Sequence, residues 1–151
     1  MIVVSSCLAG MKVRYNGTDS LDEKITELIE NGRAVAVCPE LLGGFQTPRE
    51  PAEIKGGNGY DVLDGTAAVV DKKGINVTEL YLAGAFKTLE IVQQLQANTV
   101  VLKENSPSCG SSQIYNGNFE GIKCNGAGVT TALLRREGIQ VISELELALI
   151  D

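Results

Sequence analysis

The sequence contains no histidine. Its absence removes Ser-His-Asp and Cys-His nucleophilic catalysis, imidazole acid–base chemistry and every zinc site with a histidine ligand. Cysteine and carboxylate remain as the reactive groups. Long hydrophobic runs are missing too. The apolar stretch at Ile2-Val3-Val4 is far too short for a signal-peptide core or a membrane span and has no basic start, so a cytoplasmic protein with no membrane partner is expected. Positive charge is scarce: 13 Lys and Arg against 19 Asp and Glu give a net charge of −6 and a pI near 4.7. That balance argues against stable nucleic-acid binding and for a small substrate. Cys-x-x-Cys pairs are absent, which disfavours a zinc ribbon or rubredoxin-like knuckle. No flavin or nicotinamide motif is present. Gly126-Ala127-Gly128-Val129 lacks the Gly-x-Gly-x-x-Gly spacing and reads as a glycine turn packing a helix against a sheet.

A chain of 151 residues buries roughly 70% of its unfolded surface on folding, so it needs neither disulfide nor metal merely to fold. One domain over 1–151 is expected. Short β-branched runs alternate with amphipathic stretches, the pattern of an α/β, Rossmann-like three-layer fold with a mostly parallel, doubly wound sheet. Strands are read at Ile2–Ser5, Ala34–Val37, Thr99–Leu102 and Gln140–Ile142. A Ser20-capped helix runs to about Asn31, where Gly32 ends it. The longest helical pattern covers Thr78 to Gln96, with Leu80, Leu82, Ala83, Phe86, Leu89, Ile91, Val92 and Leu95 on the expected core face. Further helices are expected from about Ala127 to Glu137 and from Ser143 onward. Asp61 to Val70 and a piece around Ile75 read as a hairpin turning at Gly74.

The chain has four cysteines, and in a reducing compartment metal binding or catalysis is a better reading for them than disulfides. Cys7, Cys38 and Cys109 each fall just past a strand end. In an open parallel sheet those ends share one edge, where ligands and cofactors bind. Three thiolates from separate loops suit an iron–sulfur cluster with one iron left open. Cys124 lies in a glycine-rich segment and reads as a fourth ligand or, preferably, a free loop thiol.

Two loops carry the remaining candidates. Cys38-Pro39-Glu40 and the following segment to Pro51 hold three of the four prolines and read as a rigid irregular loop. Glu40 is the candidate acid–base group, with pairing to Arg49 as the alternative. In Glu104 to Ser112, the hydroxyls of Ser106 and Ser108 are suited to positioning water or donating hydrogen bonds, and the residues alone do not choose between them. Arg14, Arg49 and Lys103 could receive a substrate phosphate or carbonyl, or form ordinary surface ion pairs.

Taken together, Ser6-Cys7-Leu8-Ala9-Gly10, Arg14-Tyr15-Asn16-Gly17, Cys38-Pro39-Glu40, Gly43-Gly44, Pro48-Arg49, Asn105-Ser106-Pro107-Ser108-Cys109-Gly110 and Gly128-Val129-Thr130 resemble the thiouracil desulfidase family over essentially the whole length. The resemblance implies a [4Fe–4S] cluster on Cys7, Cys38 and Cys109. It also implies non-redox removal of sulfur from a thiolated pyrimidine, 4-thiouracil or its nucleotide, with release of hydrogen sulfide, an acid–base role for Glu40 and a water-positioning role for Ser106. Cys124 matches no family ligand. An electron carrier with a fully ligated cluster and a zinc protein are the competing readings.

Overall fold

A computed structural model describes residues 1–12, 14–19 and 21–149. In chain order the first elements are β1 (Ile2–Ser5), α1 (Glu23–Glu30), β2 (Ala34–Val37), α2 (Pro39–Leu42), β3 (Ala52–Lys55), α3 (Gly59–Leu63) and β4 (Ala68–Asp71). After them come α4 (Thr78–Gln94), β5 (Thr99–Leu102), β6 (Gln113–Tyr115), β7 (Lys123–Asn125), α5 (Val129–Arg136) and β8 (Gln140–Ser143). Turns of 3₁₀ helix follow β1 at Ser6–Ala9 and β8 at Glu144–Leu149.

The central sheet has four parallel strands in the order β2-β1-β5-β8, with Val3 opposite Val35 and Val100, and Val101 opposite Ile142. Both faces are covered, which is why β1 and β5 are continuously apolar rather than alternating. Val3, Val100 and Val141 pack with α4 and α5 on one face, and Val4, Val101 and Ile142 pack with Ile25 and Leu28 of α1 on the other. The chain leaves β1 toward β2 and later crosses back to β5. That reversal puts the sheet's switch point, and so its ligand crevice, at the carboxyl ends of β2, β1 and β5. The expected three-layer, doubly wound α/β architecture is what the chain adopts.

Local details differ from the sequence reading. α1 is capped by the Asp22 carboxylate, which accepts from the amides of Lys24 and Ile25; the expected cap, Ser20, lies outside the described residues. Asp61 belongs to helix rather than strand. Asn58 and Asp61 form a reciprocal capping box that starts α3, and only Ala68–Asp71 is strand, paired antiparallel with β3. Gly74 does supply the turn that follows, at φ 86°. The proline-rich segment begins as α2 rather than irregular loop. After β8 the chain forms 3₁₀ turns with a break at Glu146, not the expected α-helix.

The core face of α4 is also rotated. Tyr81, Gly84, Ala85, Thr88, Leu89 and Val92 are buried, whereas Leu80, Phe86 and Leu95 are exposed. Small residues face inward because α4 lies backbone-close to α2. A Cβ on Gly84 would stand 2.1 Å from the Pro39 carbonyl oxygen, and one on Gly43 would stand 2.1 Å from that of Leu80.

Candidate active site

Three consecutive sheet positions deliver the three candidate ligands. β1 runs into the 3₁₀ turn that buries Cys7, and Gly10, left-handed at φ 90°, closes the turn by donating its N–H to the Cys7 carbonyl at 3.2 Å. β2 ends at Cys38, the N-cap residue of α2, with Pro39 at the first helical position. β5 leads to the loop that bears Cys109.

That loop is built around a buried carboxylate. Glu104 Oε1 accepts from the amides of Ser111 (2.7 Å), Ser112 (3.1 Å), Gln113 (3.2 Å) and Asn105 (3.3 Å). Its Oε2 accepts from the hydroxyls of Ser111 (2.7 Å) and Ser112 (3.1 Å). Burial pushes this carboxyl up, but the bonds from Ser111, Ser112 and Gln113 outweigh it and hold it at about 2. The far side of the loop is tied to α5. The amides of Gly128, Val129 and Thr130 donate to the carbonyls of Gly110, Pro107 and Ser108 at 2.8, 2.8 and 2.9 Å. The helix N-terminus is therefore satisfied by the loop, and the glycine turn packs a helix rather than cradling a phosphate.

Cys7, Cys38 and Cys109 line one cavity of about 400 Å³ together with Glu40, Ser106, Arg14, Arg49 and Lys103. With only four tyrosines and three phenylalanines in the chain, Tyr15, Tyr81, Tyr115 and Phe119 all line it. Phe119 is held there through its amide, which donates to Glu53 Oε1 at 3.2 Å.

The thiols share this space closely enough to influence one another. Burial first and Cys38 second push the Cys7 thiol up to about 11, against a smaller pull from Lys103 and Arg14. Burial likewise raises Cys38. Cys109 is raised well above the usual thiol range by burial, then by Glu40 and Cys38. As free thiols all three are held protonated, so none is poised as a nucleophile, and a metal centre is what turns such groups into thiolates. Among the described residues no three of Cys, Asp or Glu meet at the spacing a single ion needs, where tetrahedral thiolates lie about 3.8 Å apart. Three thiols facing one cavity are the donor set that an iron–sulfur centre takes.

Glu40 sits beside them on α2. Its Oε2 accepts from Arg49 Nε and Nη2, both at 3.1 Å, and from the Tyr81 hydroxyl at 3.0 Å. The pairing with Arg49 and the place in the cavity wall thus coexist. Tyr81 is buried and packs edge-on against Phe45 with ring centroids 5.0 Å apart.

The sequence model of the 2-thiouracil desulfurase family matches residues 2–146. The chain belongs to that family. It is 60% identical, over 97% of each chain, to the uncharacterised protein YbbK of Bacillus subtilis (strain 168). A solved structure titled as the [4Fe-4S]-dependent thiouracil desulfidase TudS superposes with a TM-score of 0.88 at 44% identity, covering 99% of this chain and 93% of that one. The resemblance carried by the cysteine motifs is therefore a family relationship.

Within this 2-thiouracil desulfurase fold, not every sequence candidate reaches the cavity. Ser108 is buried and shares a 2.8 Å hydrogen bond with Thr130 on α5, so it braces the loop instead of lining the wall. Lys103 Nζ is paired with Glu144 Oε2 at 2.9 Å. Arg49 is committed to Glu40. Cys124 is exposed, on the strand β7 rather than in a loop, and does not line the cavity. Tyr81, Glu53 and Glu104 are site residues the sequence reading passed over. For Tyr81 the available signal was its stricter spacing with Ala85, Thr88, Leu89 and Val92. Among the described residues no helix is long and apolar enough to cross a membrane.

Proposed function

We propose that this protein removes sulfur from a thiouracil-type base or its nucleotide hydrolytically, releasing hydrogen sulfide with no net redox change. The observation that carries this reading is the convergence of three thiols, Cys7 and Cys109 buried and Cys38 half-buried, with Glu40 and Ser106 on one cavity. Cys7, Cys38 and Cys109 would hold a [4Fe-4S] cluster, which when bound supplies a thiophilic Lewis acid at the iron left without a protein ligand.

The chain's own groups do the rest. Arg49 and Tyr81 fix the direction of the Glu40 carboxylate, which takes a proton from the attacking water. Ser106 Oγ accepts from the amides of Ser108 at 3.0 Å and Cys109 at 3.1 Å. Both of its lone pairs are then occupied. Its remaining capacity is to donate, so it steers a water by its oxygen and stabilises charge collecting on the reacting centre. Arg14 brings positive charge to the wall of an acidic protein, suited to the anionic part of a nucleotide, whereas the Lys103 ammonium is paired with Glu144.

The test is anaerobic reconstitution followed by iron and acid-labile sulfide analysis and a sulfide-release assay with 2-thiouracil, 4-thiouracil and 4-thiouridine monophosphate. About four irons per chain and sulfide release in the absence of an electron donor are expected. A loaded protein that is reversibly reduced but releases no sulfide, or one that binds a single zinc, overturns the proposal.

A further inference from the structure

The turn between β6 and β7 carries an aromatic ring that the core does not reward. Gly117, Phe119 and Gly121 all have left-handed backbone, at φ 91°, 54° and 74°. Glycine adopts it freely, whereas a bulky residue there is strained. The turn is nonetheless firmly held. The amides of Gly117 and Phe119 both donate to Oε1 of the buried Glu53 on β3, at 2.9 and 3.2 Å. Gly117 lies so close to that strand that a Cβ would stand 2.4 Å from the Ile54 carbonyl oxygen, and the Asn116 amide closes the turn on the Ile122 carbonyl at 2.9 Å. Phe119 is half-buried, yet it belongs to neither core cluster, and among the described residues no aromatic ring or cation packs on it. What it lines is the cavity. A strained backbone that carries a large ring, with no core packing in return, marks a contact made by a ligand arriving from that cavity.

We infer that Phe119 is a stacking platform for the substrate ring and selects flat, aromatic pyrimidines over saturated ones. This rests on the thiouracil reading above and deepens it. Hydrogen bonds read the edge of a base, whereas an aromatic side chain reads its face. Stacking is indifferent to which atoms the edge carries, so the same platform serves a thiolated ring and its oxygen counterpart. A saturated pyrimidine keeps the edge but puckers and loses its π-face, and the contact goes with it. Because Glu53 and β3 hold the turn in place beforehand, little ordering is left to be done when the ring binds.

The experiment compares uracil with 5,6-dihydrouracil, which shares its edge, by calorimetry on the anaerobically reconstituted protein, and follows 4-thiouracil by sulfide release. The wild type binds uracil roughly 5- to 100-fold more tightly than dihydrouracil. Phe119→Gly relieves the left-handed strain, so it keeps the iron content and urea midpoint of the wild type but binds the two rings alike, and its KM for 4-thiouracil rises more than its kcat falls. Phe119→Leu keeps the apolar bulk without a π-face and also binds them alike, whereas Phe119→Tyr retains the preference. Equal binding of both rings by the wild type, binding of neither, or a preference surviving in Phe119→Gly or Phe119→Leu overturns the assignment. A loaded wild type that shows the preference but releases no sulfide refutes the desulfidase reading while upholding the role of Phe119, and sulfide release without the preference does the reverse.

Discussion

Replacing Glu104 by glutamine tests whether a buried charge, and not merely a buried shape, holds the Cys109 loop. Glutamine can offer its oxygen to the four amides that Glu104 Oε1 now serves, and its NH₂ to the hydroxyls of Ser111 and Ser112 once they rotate. Geometry is kept and charge is lost. A carboxyl lowered from an ordinary 4.5 to about 2 favours the folded state by roughly 3 kcal/mol when ionised. Because the folded value is the depressed one, this contribution is complete above about pH 5 and disappears as the pH falls through 4.5 toward 2. About 2 kcal/mol of it is gone by pH 3. Urea unfolding of wild type and Glu104→Gln at pH 7 and at pH 3 measures both quantities. The variant is expected to be about 2–3 kcal/mol less stable at pH 7, with the gap narrowing to about 1 kcal/mol at pH 3. A difference below about 0.5 kcal/mol at pH 7, or one that does not shrink on acidification, refutes the reasoning.

Cys7→Ser is expected to lose iron and the brown absorption of the loaded protein, whereas Cys124→Ser, on an exposed strand outside the cavity, keeps both; iron and sulfide analysis decides. Glu40→Gln keeps its iron but turns over roughly 10²- to 10⁴-fold more slowly, as read by sulfide release normalised to iron content. Gly84→Ala drives a methyl group to 2.1 Å from the Pro39 carbonyl oxygen. It should cost about 1–3 kcal/mol in urea unfolding and slow turnover, because α2 carries Glu40 and follows Cys38.

The parallel sheet was legible because its strands are short apolar runs rich in valine and isoleucine, and the cysteines were legible because Cys7 and Cys38 follow such runs closely and Cys109 follows one after a short loop. β3, β6 and β7 carry no β-branched run, and what makes them strands is antiparallel pairing, β3 with β4 and β6 with β7. The inward face of α4 was misread because apolar residues surround the helix. The choice between its stripes is made by backbone contact with α2, which no periodicity reports. Tyr81 went with it. Glu104 looked like one more loop acid, and its worth comes from donors at Ser111, Ser112 and Gln113 that fold back onto it. Ser106 and Ser108 could not be separated without knowing that Thr130 of α5 claims one of the hydroxyls.

The turns that present the thiols are closed within the polypeptide itself: Cys7 by Gly10, Cys38 by the first turn of α2, and Cys109 by Glu104 and the start of α5. None of these bonds needs iron. The order of events in making the active protein follows from that. Folding ahead of loading is the order expected, so protein prepared without iron should unfold cooperatively in urea and take up iron on reconstitution.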